Sequence, residues 1–208
     1  MDDSARADFL RLTSWMGENV MLASGIYRTT DRQIAVDPVL YLHEDGSVAR
    51  KARFHVDPPK HDSWLLSTVA ALACCCYIDA LGKVLLHGSG SNLNHFREFI
   101  ARYMPDFMEE CKRRGLPYSV DLLHRLARCG FVHQFAHKNL AWGRSILSRE
   151  YWFALKPIDG QDHEIPGVNV DHLVRGFVRG LSGFRKDFVE SVERGEQSYE
   201  DFFTSLAK

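Results

Sequence analysis

The chain is expected to fold as a mainly α protein with an inserted β-hairpin, and three features of the sequence predict it. Apolar residues recur at helical spacing near the start, in the middle and towards the end of the chain. One short region, Val39 to Val56, instead pairs a β-prone run and an alternating run around the turn pair Asp45-Gly46. Serine, asparagine and aspartate stand where helices would start, and glycine or proline where they would stop. A chain of 208 residues that is 45% hydrophobic can bury one good core, so residues 1–208 read as a single domain and 39–56 as its hairpin insertion.

Taken in order, Ser4 to Ala23 reads as an amphipathic helix, capped by Ser4, with Phe9, Leu12, Met16, Val20 and Ala23 on one face. It ends near Gly25. On the second hairpin strand Val48, Ala52, Phe54 and Val56 share one face, and Lys51, Arg53 and His55 the other. That basic face either follows a phosphate backbone or is a solvated outer face that protects a sheet edge. Asp57-Pro-Pro closes the insertion. His61 to Leu86 is then the longest helix and the expected centre of the core, with Leu65, Val69, Leu72, Cys76, Ala80 and Val84 as its stripe. Its polar positions Asp79 and Lys83 lie four apart, in the acid-before-base order of an exposed helical pair.

His87-Gly-Ser-Gly-Ser-Asn92 reads as a turn, with Ser91 or Asn92 capping the next helix, because it lacks the Lys-Ser/Thr ending of a P-loop and follows no strand. A helix from Leu93 to Tyr103 stops before Pro105, and a shorter one runs on to Arg114. Gly115-Leu-Pro117 leads to Ser119 or Asp121 as cap of the following helix. After Lys138 the pattern weakens: Tyr151 to Leu155 reads as a short strand and Pro157 to Gly167 as loop. Asn169 caps a helix to about Arg194, on which Val170, Val174, Phe177, Leu181, Phe184 and Phe188 form a seam that packs into the bundle or builds a dimer. Gly176 and Gly180 beside the seam leave room for another helix. A short helix, Tyr199 to Leu206, ends the pattern.

Charge and cysteine usage narrow the function classes. With 26 basic and 27 acidic residues the formal charge is −1, so no global field draws the chain to nucleic acid or to a membrane. RNA contact would have to come from local patches such as Lys112, Arg113 and Arg114, whose plain alternative is a solvated helix end. Five cysteines, three of them consecutive at Cys74, Cys75 and Cys76, do not make a disulfide framework. The longest uncharged run, Ser63 to Ile78, has 16 residues, short of the roughly 18 of a membrane span. With no basic-then-apolar start, these features lead to the expectation of a cytoplasmic protein.

The most informative stretch is Leu122 to His137, LLHRLARCGFVHQFAH. On a helix Leu122, Leu126, Cys129, Val132 and Ala136 make one apolar stripe; His133 projects within it and Arg128 at its edge. Burying an imidazole and a permanent cation is costly unless they are paired or used. The Arg128-x4-His133 spacing and the string RCGFVHQF resemble the HEPN superfamily, helical domains of prokaryotic toxins, defence systems and RNA-processing enzymes. The resemblance spans about Ser63 to Arg194, with the hairpin outside it. It implies a HEPN-like helical bundle and a homodimer cutting RNA without metal or other cofactor. His133 would then transfer protons and Arg128 bind the scissile phosphate.

Related domains often carry acidic and basic residues on the central helix near the cleft, so Asp79 and Lys83 are supporting candidates, with Asp79 orienting Arg128. Cys129 stands where family nucleases often have asparagine. Phe135 stands where toxin members often have a tyrosine open to modification by a partner. Phenylalanine has no hydroxyl, so that control route is closed at this position, and an antitoxin or other protein partner acting in another way is left open.

Three other chemistries compete. His133 and His137 are four apart, with His124 nearby, as on zinc-binding helices, but Gln134 replaces the HExxH glutamate and no CxxC pair exists. A non-catalytic HEPN-like dimeric scaffold could use Arg128 and His133 structurally and bind a nucleotide or a protein. A thiol nucleophile at Cys129 is disfavoured by its place in the apolar stripe.

Overall fold

The computed structural model describes residues 3–24, 26–27, 36–42, 48–56, 64–115, 119–125, 141–143, 149–155 and 165–194. Within them the protein is mainly α. The helices are α1 (Asp3–Ser24), α2 (Trp64–Leu85), α3 (Asn92–Tyr103), α4 (Pro105–Arg113), the single turn α5 (Ser119–Leu122) and α6 (Val170–Glu193). The strands are β1 (Ile26–Tyr27), β2 (Val36–Leu42), β3 (Val48–Val56), β4 (Ala141–Gly143), β5 (Trp152–Leu155) and β6 (Ile165–Asn169).

Helix α6 occupies the middle. All six residues of its seam, Val170, Val174, Phe177, Leu181, Phe184 and Phe188, are buried, so the seam packs into the bundle. Phe184 meets Phe9 of α1 and Phe99 and Tyr103 of α3, while Phe177 meets Tyr77 of α2 and Phe99. Gly180 lets the end of α3 come close: a methyl there would press on the Tyr103 carbonyl. The expected start and end of α1 hold to within a residue, but Ser4 lies inside the helix rather than capping it.

Helix α2 is where the sequence pattern misleads. The residues buried are Ala70, Ala71, Cys74, Cys75, Ile78, Leu81 and Val84. Of the expected stripe, Val69 is exposed and Leu72, Cys76 and Ala80 only half-buried. Nearly every residue from Ser63 to Ile78 is apolar, so apolarity carries no phase, and packing chooses the face with the smaller side chains. The choice is set at Gly82, where α3 approaches so closely that a β-carbon would overlap the His95 carbonyl. Cys74, Cys75, Cys76 and Cys111 are free thiols, and burial holds the Cys74 thiol well above its usual range.

The hairpin forms, with β2 antiparallel to β3 and Leu40 opposite Lys51, and it begins three residues before the expected Val39. β1 adds a third strand to the far edge of β3, which the sequence pattern does not announce. A second sheet has the order β4-β6-β5, with β6 parallel to β4 and antiparallel to β5. Residues 165–167, expected in a loop, belong to its central strand. Ile-Pro-Gly-Val-Asn hides this, since proline and glycine argue against a strand interior; Gly167 is needed because the Phe153 ring lies over its α-carbon. Among the described residues no helix is long and apolar enough to cross a membrane.

Candidate functional site

Arg128, Cys129, His133 and His137 lie outside the described residues, as does the tail containing Tyr199 to Leu206. The lead-in to the motif is described. Ser119 opens α5, and the chain continues through one wider π-type turn at residues 123–125. Both oxygens of Asp121 accept from the Arg97 guanidinium of α3, with Nε to Oδ1 at 2.7 Å, and this bond holds the Asp121 carboxyl below its usual range. Leu123 is fully buried, and the His124 ring stands edge-on to Phe96 of α3 at 5.2 Å. Two contacts and one buried leucine thus anchor α5 on α3 directly before Arg128.

The supporting residues on α2 separate. Lys83 is exposed, but Asp79 is only 9% exposed and turns toward α3, where its Oδ1 lies 3.9 Å from Nδ1 of buried His95. The expected exposed Asp79–Lys83 pair therefore does not form. His95 Nε2 donates to the Ser89 carbonyl at 2.7 Å, tying the ring to the turn between α2 and α3. That turn matches expectation: Gly88 and Gly90 have positive φ, and the Ser91 hydroxyl caps α3 by accepting from Asn94 N. Lys51 and Arg53 lie on β3.

The basic cluster at the end of α4 divides. Lys112 is exposed, while Arg114 gives Nε to Glu110 at 3.0 Å and Nη2 to Glu150 at 2.6 Å and is spent within the fold. Arg113, 3.5 Å from Glu150, instead lines a cavity of about 560 Å³ between α4 and α6. Residues 149–151 form its third side, with Arg149 and Tyr151 in the lining. Asp106 and Glu110 of α4 face Arg179 and His172 of α6 across it. Asp106 Oδ2 accepts from Arg179 Nη2 at 2.6 Å and from the Tyr151 hydroxyl at 2.8 Å. Burial, and then the Asp106 charge, raise the Tyr151 phenol well above its usual value, so it stays protonated and donating. Glu110, 4% exposed, accepts from the backbone N–H groups of Tyr151 at 2.7 Å and Trp152 at 2.9 Å.

Family models, curated proteins and solved structures offer no match to this chain.

The sequence pattern missed most of this cavity. Arg149, Tyr151, His172 and Arg179 come from segments far apart from α4, and no spacing rule links them. One signal was available. Arg179 lies one turn from Arg175 on α6, close beside its apolar seam, and cations carried into a packed interface need partners. Gly176, noted for close approach, admits the Tyr151 hydroxyl rather than a helix. Among the described residues, no three His, Cys, Asp or Glu side chains stand together to hold a metal ion.

Proposed function

We propose that the chain is a metal-independent endoribonuclease acting as a homodimer, in a toxin–antitoxin or defence setting. The observation that carries this reading is the joint presence of Arg128 and His133 at the x4 spacing within RCGFVHQF, on a mainly α chain. Cleavage without a metal needs a base for the ribose 2′-hydroxyl, charge stabilisation at phosphorus and an acid for the departing 5′-oxygen. Histidine, with an ordinary pKa of about 6.5, serves both proton steps, and the planar, always charged guanidinium of Arg128 suits the phosphate. One protomer supplies one such pair, so two copies of His133 in a dimer divide the acid and base roles.

Support comes from the lead-in to the motif. A segment that must hold a reacting phosphate has to start from a fixed point, and the Arg97–Asp121 pair with buried Leu123 supplies one. On an ideal helix Arg128 and His133 would point about 140° apart. The wider turn at residues 123–125 departs from ideal winding just before the motif, and the sequence puts a glycine, Gly130, a residue of low helix propensity, within it. The test is cleavage of a mixed fluorescent RNA set in EDTA by the wild type, Arg128→Ala and His133→Ala, with the fold of each checked by circular dichroism. Cleavage that leaves 2′,3′-cyclic phosphate ends and is lost in both variants is expected. A folded dimer that cuts none of the set, with or without added metal, would overturn the assignment in favour of a non-catalytic scaffold.

A further inference from the structure

The core uses one face of α2 and leaves another apolar. The run from Ser63 to Ile78 holds no charge, and on the side turned from the core Val69 is 44% exposed, while Ala73 and Tyr77, at successive steps of four, are half-buried. Helix α1 continues this strip. Its Trp15, 54% exposed, has its ring 6.5 Å from that of Tyr77, and Leu12, one turn before it, is half-buried. Two of the three large hydrophobic side chains that the described residues leave exposed therefore fall on one face, the third being Met108 on α4. A lone exposed apolar side chain is ordinary, whereas a strip across two helices marks a contact surface.

The charges beside the strip decide what fits it. Asp8, Arg11, Trp15 and Glu18 lie along the exposed ridge of α1, with mixed signs that would not track a polyanion. Arg11 and Glu18 are seven residues apart, about two turns, and so stand on nearly one line with Trp15 between them. A two-fold axis crossing α1 between Ser14 and Trp15 thus sets Arg11 of each copy opposite Glu18 of the other, with the two Trp15 rings side by side at the centre. Arg11 also pairs with Asp8 three residues earlier, but that contact is exposed at both ends, gives little, and leaves the other guanidinium nitrogens for a second carboxylate. Glu18 is exposed and makes no ion pair among the described residues.

We propose that a second copy of this chain docks antiparallel on the outer face of α1 and α2, Trp15 against Trp15 and Arg11 against Glu18. The area suffices. Each helix has 22 residues, about 33 Å, and two lying side by side offer roughly 600 Å² from each copy and about 1,200 Å² for the pair, at the lower bound of stable interfaces. Tryptophan and arginine are also the residue types that carry most binding energy once an interface closes over them. The inference rests on the homodimer of the proposed function and names its contact face, using no residue of the Arg128-x4-His133 motif.

The test is sedimentation velocity of the full chain from about 1 to 100 μM, with circular dichroism on every variant. The wild type should be a dimer within that range. Trp15→Glu, a change at an exposed position, should stay folded and dimerise about tenfold or more weakly. Arg11→Glu and Glu18→Arg should each weaken the dimer about fivefold or more, and the double variant Arg11→Glu/Glu18→Arg should regain most of the loss, because reversing both ends of a two-fold pair restores the attraction. A wild-type dimer indifferent to Trp15→Glu would overturn this contact face and leave the homodimer standing. Single reversals that the double variant does not rescue would overturn the antiparallel pairing. A wild type that stays monomeric throughout would overturn the interface and the homodimer together.

Discussion

Glu110 shows what one side chain contributes to this fold. Its carboxylate, 4% exposed, receives two backbone N–H groups from the start of β5 and the Arg114 guanidinium, and so fixes the segment 150–152 against α4. A buried carboxylate is tolerated only when it is fully used, and here each donor would be stranded without it. Glu110→Ala is expected to cost about 3 kcal/mol or more of unfolding free energy in urea titration, and Glu110→Gln, which keeps one acceptor oxygen, clearly less. A loss below about 1 kcal/mol for the alanine variant would mean that water replaces the carboxylate and that the segment is held by its apolar contacts alone. Nothing in the sequence marks Glu110 as buried, because an acid on the short amphipathic helix α4, four residues before Arg114, looks like one half of a solvated pair, and the backbone groups it accepts from lie some forty positions away.

At the level of elements, the crossing of α2 and α3 decides how the bundle is built. Gly82 sits under the His95 carbonyl, with no room for a β-carbon. Gly82→Ala should therefore destabilise by about 2 kcal/mol despite alanine's better helix propensity, since two backbones must part. Gly115→Ala, at a φ of 66° with nothing within 4 Å of the added carbon, should cost only about 1 kcal/mol of conformational strain. Equal effects from the two substitutions, measured by thermal melts, would show that α2 and α3 are less tightly crossed than described. The same pair of helices marks the reach of sequence reading. Helix α3, strongly two-sided, gives its limits and its Ser91 cap directly. Helix α2 gives its C-terminal limit to within a residue but not its buried face, because a uniformly apolar run has no preferred side until a neighbour selects one.

At the scale of the whole molecule, α6 is the common wall for α1, α2 and α3, and its seam was the clearest feature of the sequence because large apolar residues alternate there with charged ones. Phe184 alone touches Phe9, Phe99 and Tyr103. Phe184→Ala is expected to cost about 3–5 kcal/mol and to lower hydrogen-exchange protection in α1, α3 and α6 together. Loss of protection in α1 alone would show that the N-terminal helix is a separate layer. The second sheet was less legible, since three short strands from distant segments, one holding proline and glycine, carry no local pattern. The same holds for the cavity, whose polar residues are brought together only once α4, Tyr151 and α6 have met.

The Gly82 crossing has a practical corollary for anyone mapping this protein by saturation mutagenesis. In a screen scored by cellular activity, Gly82 would tolerate almost no replacement and, under the proposed nuclease assignment, would rank beside Arg128 and His133, though it carries no reactive group. Abundance measured in parallel would tell them apart, since variants at Gly82 vanish from the cell while silent variants of the motif accumulate.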